Sequence, residues 1–263
     1  MDFKKITYSV ENSIATITFN DPATMNAAGV DTTEELLLAF ELAGKEARAT
    51  ILTGTGRGFS SGANLSGGLG GGAAPKGEFD AGKMLDAVYN PLVSAMREHP
   101  HPIVTAINGA AAGVGCSIAL MGDLIICAES AYFLQAFRRI GLVPDGGSTY
   151  LLARTIGRAR AMEMTLLGDK LPAAKALEWG LVNQVVSDGA LMSTALDLAQ
   201  RLSTGPTKAL AMTRKLVWDA VEDSWESQIH AERVAQRTAG RTEDSKEGVM
   251  AFLQKRPANF TGN

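Results

Sequence analysis

Two stretches of the chain, PIVTAI (102–107) and DLIICA (123–128), are apolar at almost every position rather than at alternate ones. Strands of that kind are buried on both faces, so they need covering layers above and below the sheet. A third apolar run, ATILT (49–53), passes straight into Gly54-Thr55-Gly56-Arg57-Gly58. PIVTAI passes into Asn108-Gly109 and then AAAGVGCSIALM, where small residues lead into a short helix. Strand, glycine-rich loop, helix and strand therefore recur at least twice, which sets an α/β class.

Ahead of these, residues 6–10 and 13–19 alternate with a period near two and read as a hairpin. A helix opens at Asp31, with Thr32 and Glu35 spaced as a capping box and Gly44 placed to end it. A second helix fits 79–98, with Met84, Leu85, Val88, Leu92 and Met96 on one face. Residues 146–203 read as mostly helical, interrupted by VNQVV (182–186), and helices follow over 206–220, 222–239 and 242–255. The chain thus divides into a core, 1–203, and a helical region, 204–263, suited to oligomer contact. Segment 66–77, SGGLGGGAAPKG, is low in complexity and reads as a mobile loop.

Composition removes several function classes. The 263 residues carry 25 basic and 28 acidic side chains, a formal charge of −3, which argues against a nucleic-acid partner. No run approaches the ~18 apolar residues of a membrane span, and MDFKKITYSV lacks a signal peptide's apolar stretch. Cys116 and Cys127 both lie in apolar segments and read as small core residues of a reduced, cytoplasmic chain. His99, His101 and His230 lack metal-ligand spacing and read as solvated residues, so no metal is expected. The surplus is glycine, 28 residues, of which 11 fall between Gly54 and Gly82. That concentration points to chemistry done by backbone.

Gly58-Phe59-Ser60-Ser61-Gly62 matches G-x-S-x-G, but a glycine loop follows where a nucleophile elbow needs a helix. Gly54-x-Gly56-x-Gly58 lacks the third glycine and the helix of a dinucleotide site. The turns at Ser61-Gly62-Ala63 and Gly113-Val114-Gly115 each follow a strand, and their N–H groups could receive a ligand oxygen or simply close tight turns. Asp145 stands in Gly141-Leu142-Val143-Pro144-Asp145-Gly146-Gly147 at the start of a helix. It is either an N-cap or a base whose apolar neighbours hold its pKa up.

GRGFSSGANL (56–65), INGAAAGVGCSIALMGDLIICAESAYF (107–133), RIGLVPDGGSTYLLARTIGRARAMEM (139–164) and LEWGLVNQVV (177–186) occur here in one order and spacing. With them the chain resembles the crotonase (enoyl-CoA hydratase/isomerase) superfamily over essentially its whole length. The resemblance implies a spiral of ββα units with a C-terminal helical trimerisation region, assembled as a homotrimer or a dimer of trimers. It implies an acyl-CoA thioester as substrate, with no separate cofactor. It assigns the Ala63 and Val114 N–H groups to an oxyanion hole for the thioester carbonyl. Ser61, Gly62, Asn64, Leu65 and Gly113 flank that hole, while Phe59, Leu65 and Phe137 are expected along the acyl pocket. Ser117, Gly141 and Pro144 are expected to bind the substrate together with these flanking and pocket residues.

Family hydratases place a Glu at the positions of Ser117 and Phe137, and both are missing here. Isomerase branches place an Asp where Asp145 stands. VYNPLV (88–93), LVPDGG, GRARAM (157–162) and the tail from Lys246 resemble the branch acting on enoyl- and ring-epoxide CoA esters. The expectation is an acyl-CoA isomerase with one aspartate base. The alternatives are a hydratase with unusual residues and a non-catalytic CoA-ester binder. Where family members often carry Asp after the oxyanion alanine, this chain has Asn64.

Overall fold

A computed structural model describes residues 2–64 and 80–263. The glycine segment 66–77 and Leu65 lie outside the described residues. The chain opens with β1 (Ile6–Glu11) and β2 (Ile14–Phe19), an antiparallel hairpin turned at Asn12 and Ser13, both at positive φ. Helix α1 (Val30–Glu46) then leads to β3 (Ala49–Gly54) and the short β4 (Gly58–Ser60). Next come α2 (Ala81–Met84), a π-helical turn over Leu85–Tyr89, and α3 (Asn90–Arg97). The single helix expected over 79–98 is therefore three segments. Pro91, inside α3, has no N–H to give to the turn before it, and the wider π turn lies on that side.

The middle of the chain holds β5 (Ile103–Ile107), β6 (Ala110–Ala112), α4 (Val114–Ala119), β7 (Leu124–Ala128) and β8 (Tyr132–Leu134). It continues through α5 (Ser148–Thr155), α6 (Gly157–Leu167), β9 (Leu171–Pro172), α7 (Ala173–Glu178), β10 (Gln184–Val186) and α8 (Leu191–Ser203). Three helices complete it: α9 (Thr207–Ala220), α10 (Trp225–Ala239) and α11 (Glu243–Gln254). Ser224 and Thr242 cap the last two, each accepting from the N–H three residues on.

Among the described residues ten strands form two sheets, ordered β1-β2-β3-β5-β7-β10 and β4-β6-β8-β9. In the large sheet β2 through β10 run parallel, and in the small sheet β4, β6 and β8 run parallel. Each repeat lays one strand in the large sheet, crosses into the small one, and leaves through a helical segment. β3–β4, β5–β6 and β7–β8 are three turns of this ββα spiral. The core strands are buried end to end, as their unbroken apolar runs require.

Three local expectations are corrected. Thr32 and Glu35 form no capping box: α1 starts at Val30, and the Thr32 hydroxyl donates to the Ala27 carbonyl at 3.1 Å. The Glu35 carboxylate instead accepts from the N–H groups of Lys4, Lys5 and Ile6, which pins the chain's start. Gly44 does not end α1 but lies inside it, so close to the 99–101 segment that a Cβ would come 3.1 Å from Pro100. His99 and His101 are accordingly buried, not solvated, while His230 is exposed on α10.

The two buried imidazoles pack edge to face, 4.2 Å between centroids, beneath Phe40. His101 Nε2–H donates to the Ala43 carbonyl at 3.0 Å, and His99 Nε2 lies 3.2 Å from the Thr50 hydroxyl. Arg214 of α9 closes this cluster. Its guanidinium pairs with Asp123 at 2.7 Å and donates to the carbonyls of Met96 and His99. The last helical region is thereby tied to the core by a buried charge.

Burial first, then the neighbouring His101 and Arg214, press the His99 pKa down to about 2, and burial lowers that of His101. Both rings are thus neutral when folded, whereas the unfolded chain binds protons below about pH 6.5. The stabilisation from this neutrality is complete above that pH and is lost as pH falls toward the folded values. Unfolding free energies from urea titrations should hold steady above pH 7 and then decline as pH falls, by up to about 1.4 kcal/mol per pH unit for each histidine that stays neutral in the fold. A His99→Gln variant should show a shallower decline between pH 6.5 and 5.

Candidate active site

The loops leaving β4, β6 and β8 emerge at one edge of the small sheet because these strands run parallel. Residues far apart in sequence, Ala63, Val114, Phe137 and Asp145, are carried to that edge together.

The first two loops meet backbone to backbone. Gly62 adopts φ +94°, and a Cβ there would lie 2.7 Å from the Ala112 carbonyl oxygen and 3.5 Å from the Gly113 Cα. Only glycine permits both the conformation and the approach. Ala63 is held by a parallel bridge to Ala28, whose N–H donates to the Gly62 carbonyl at 2.7 Å. Val114 is the first residue of α4, so its N–H has no partner within the helix. Among the described residues, neither the Ala63 nor the Val114 N–H donates a hydrogen bond.

The third loop lies against the second. Gly146 is at φ +56°, and a Cβ there would be 2.8 Å from Ser117 Cβ and 3.5 Å from Val114 Cγ2. Asp145 precedes it and is half-buried. It is not the N-cap of α5: Gly147 holds that position without any side-chain bond. Only the Asp145 main chain turns inward, its carbonyl accepting from Ser148 N–H at 3.1 Å. The carboxyl Oδ1 is buried and without a hydrogen-bond partner among the described residues. Desolvation raises its pKa to about 6, so it exchanges protons near neutrality.

The remaining expected residues separate into two groups. Gly62, Gly113 and Pro144 lie in the three abutting loops, Ser117 lies on α4 against Gly146, and Gly141, at φ +70°, ends the 3-10 turn Ala136–Ile140 that carries the buried Phe137. Asn64 is exposed, its Cβ facing Gly29. The Ser61 hydroxyl donates to the Thr24 carbonyl at 2.9 Å, a bond that ties the loop to the turn before α1. Phe59 is a correction. It is fully buried and packs edge to face on Phe19 at 5.3 Å, a core residue and not a pocket wall. Strand β4 alternates, and Phe59 points inward. Ser60 is also fully buried and donates to the Asn26 carbonyl at 2.7 Å, which leaves no exposed nucleophile in the G-x-S-x-G match. Cys116 and Cys127 are buried core thiols, each pushed up to about 12 by burial.

Tyr89, in the π-helical turn, escaped the sequence reading. Its hydroxyl donates to the Ala28 carbonyl at 2.8 Å, on the residue that bridges Ala63. Burial, and then the negative charge of Asp145, push its pKa up to about 12. Tyr89 therefore braces the bridge between Ala28 and Ala63. The available signal was a tyrosine beside the apolar stripe, since a buried phenol needs a hydrogen-bond partner. Among the described residues no group of three or more His, Cys, Asp or Glu could hold a metal ion, and no helix is long and apolar enough to cross a membrane.

Comparison with known proteins shows the family and the fold. The family model for enoyl-CoA hydratase/isomerase matches residues 9–263. The chain is 41% identical to the 1,2-epoxyphenylacetyl-CoA isomerase of Escherichia coli, covering 96% of this chain and 97% of that one. It is 40% identical to a probable enoyl-CoA hydratase of Rhodobacter capsulatus, with both chains fully covered. The crystal structure of an enoyl-CoA hydratase subunit from Geobacillus kaustophilus superposes with a TM-score of 0.91 at 30% identity, over the whole of both chains.

Replacing Tyr89 by Phe should cost about 1 kcal/mol of stability, the worth of one buried hydrogen bond, measured by urea unfolding.

Proposed function

The chain belongs to the enoyl-CoA hydratase/isomerase family, and from that premise we propose that it is an acyl-CoA isomerase working with one aspartate base. The observation that carries the reading is the Asp145 carboxyl, desolvated to a pKa of about 6, in a loop packed against the turn that presents the Val114 N–H. In this reading the Ala63 and Val114 N–H groups donate to the thioester carbonyl oxygen. Fixed donors aimed at developing negative charge contribute on the order of 3 kcal/mol each. Asp145 removes a proton from the carbon chain, the electron pair moves onto the thioester oxygen, and the carboxylic acid returns the proton at another carbon. A double bond is thereby shifted with no net change in atoms. The same pair of N–H groups and carboxylate would serve the rearrangement of a ring-epoxide thioester to an oxepin.

Hydration asks for a second acid, and the positions where family hydratases place Glu hold Ser117 and Phe137. The name of the E. coli relative favours the isomerase. So does that of a Streptococcus mutans trans-2-decenoyl-[acyl-carrier-protein] isomerase, 34% identical over 100% of both chains. The R. capsulatus relative's name favours a hydratase, with Asp145 activating water alone.

Incubating a 2-enoyl-CoA in deuterated water separates the two. Deuterium exchange at the α and γ carbons without 3-hydroxyacyl product is the isomerase result; accumulation of that product overturns it. Asp145→Asn should lower kcat about a thousandfold, the upper part of a general base's contribution, while CoA-ester affinity persists. Because the ionised carboxylate is the base, kcat/KM should rise with pH through about 6 and level off above it.

The helical region bears exposed apolar side chains, with Trp225, Phe252 and Leu253 at 74%, 82% and 69% exposure. Such a surface fits assembly with copies of the same chain. Light scattering of the purified protein should give the mass of three or six chains.

A further inference from the structure

The Asp145 main-chain carbonyl accepts from three donors. Besides the Ser148 N–H, the Ser117 hydroxyl reaches it at 2.8 Å and the Ser148 hydroxyl at 2.9 Å. Closing the turn into α5 requires only the N–H. The two hydroxyls come from different helices, α4 and α5, and both serines are wholly buried. Behind them stands Gln135, also wholly buried, its Oε1 3.5 Å from the Ser148 hydroxyl and its Nε2 donating to Cys116 Sγ at 3.3 Å. The Asp145 carboxyl has no comparable anchor, since Oδ1 is unpartnered among the described residues. A base must keep its oxygen free for the proton, so its position has to be set through its backbone. The small Ser117 side chain also makes room for the loop: Gly146 seats directly on it.

Given the reading of Asp145 as the base, we propose that Ser117 and Ser148 are positioning residues that clamp the Asp145 main chain and so fix its carboxyl relative to the Val114 N–H. Ser117 further commits the site to one-base chemistry, because a longer side chain there displaces the loop that carries the base. The same position thus cannot hold a second acid while this loop keeps its seat.

The test compares Ser117→Ala, Ser148→Ala, their double variant and Ser117→Glu with the parent, isomerisation being read on a 3-enoyl-CoA and hydration on a 2-enoyl-CoA. Each single alanine variant keeps the Ser148 N–H bond and should fold, as thermal melts will read. Expected is a kcat loss of about tenfold in each, with KM unchanged to within about twofold. The acid limb of the kcat/KM profile should also move below its parent position as the loosened loop admits water to the carboxyl. Tyr89, whose phenol feels the charge of this carboxyl, stays neutral over that range. Ser117→Glu should lose isomerisation and gain no hydration. Values of kcat within about twofold of the parent in all three alanine variants overturn the clamp, as does a raised KM at constant kcat. Hydratase turnover in Ser117→Glu overturns the commitment to one base. Asp145→Asn assayed alongside separates the two ideas. Turnover retained there removes Asp145 as the base, whereas an inactive Asp145→Asn beside unaffected serine variants removes only the clamp.

Discussion

The close seating of three loops at one edge of the small sheet is the constraint on which the rest depends. Gly62 approaches the Ala112–Gly113 backbone with no room for a Cβ, and Gly146 approaches Ser117 in the same way. The Gly62 contact has no side chain between the two backbones, so a small shift there cannot be absorbed by a change of rotamer. The loops are therefore held from outside. Ala28 bridges Ala63, Tyr89 braces Ala28, and the serine hydroxyls hold Asp145. Fixed N–H dipoles need no reorganisation when charge develops beside them, and that is what the proposed oxyanion hole asks of these loops.

The spiral itself follows from strand chemistry. Strands apolar on both faces, such as Ile103–Ile107, must lie between layers, and each repeat supplies a layer with its second strand and helical segment. The parallel direction then sends the loops of successive repeats to the same edge. Far from that edge, Arg214 binds α9 to Asp123 and to carbonyls near the end of α3. The buried histidines lie under the same guanidinium. The helical region and the core thus share one electrostatic joint.

Much of this was legible in the residues. The hairpin, the strands from Ala49, Ile103 and Leu124, and the last three helices fall within a residue or a few of their expected bounds. The motifs identified Ala63, Val114 and Asp145, and the parallel small sheet brings their loops to one edge. What was misread has specific causes. The strands β4, β6 and β8 have only three residues each, too few for a period to register. Gly44 resembles a helix stop but serves as a contact surface for Pro100. His99 and His101 look polar and loop-bound, yet that contact draws them beneath α1. Phe59 sits in a ligand-like motif while its strand phase turns it into the core.

By itself the sequence determined the α/β class, the family, the glycines that allow backbone to meet backbone, and the single carboxylate among them. These are properties of residue type and order: runs of apolar side chains demand burial, and the close approach of one backbone to another demands glycine. Only the tertiary structure decided that Asp145 is not a helix cap, that its carboxyl is desolvated to a pKa of about 6, and that Ser117 grips its carbonyl. Those facts depend on which distant segments surround a group. Desolvation and hydrogen bonding act through space over a few ångströms, and no spacing along the chain encodes them until the strands have brought the loops together.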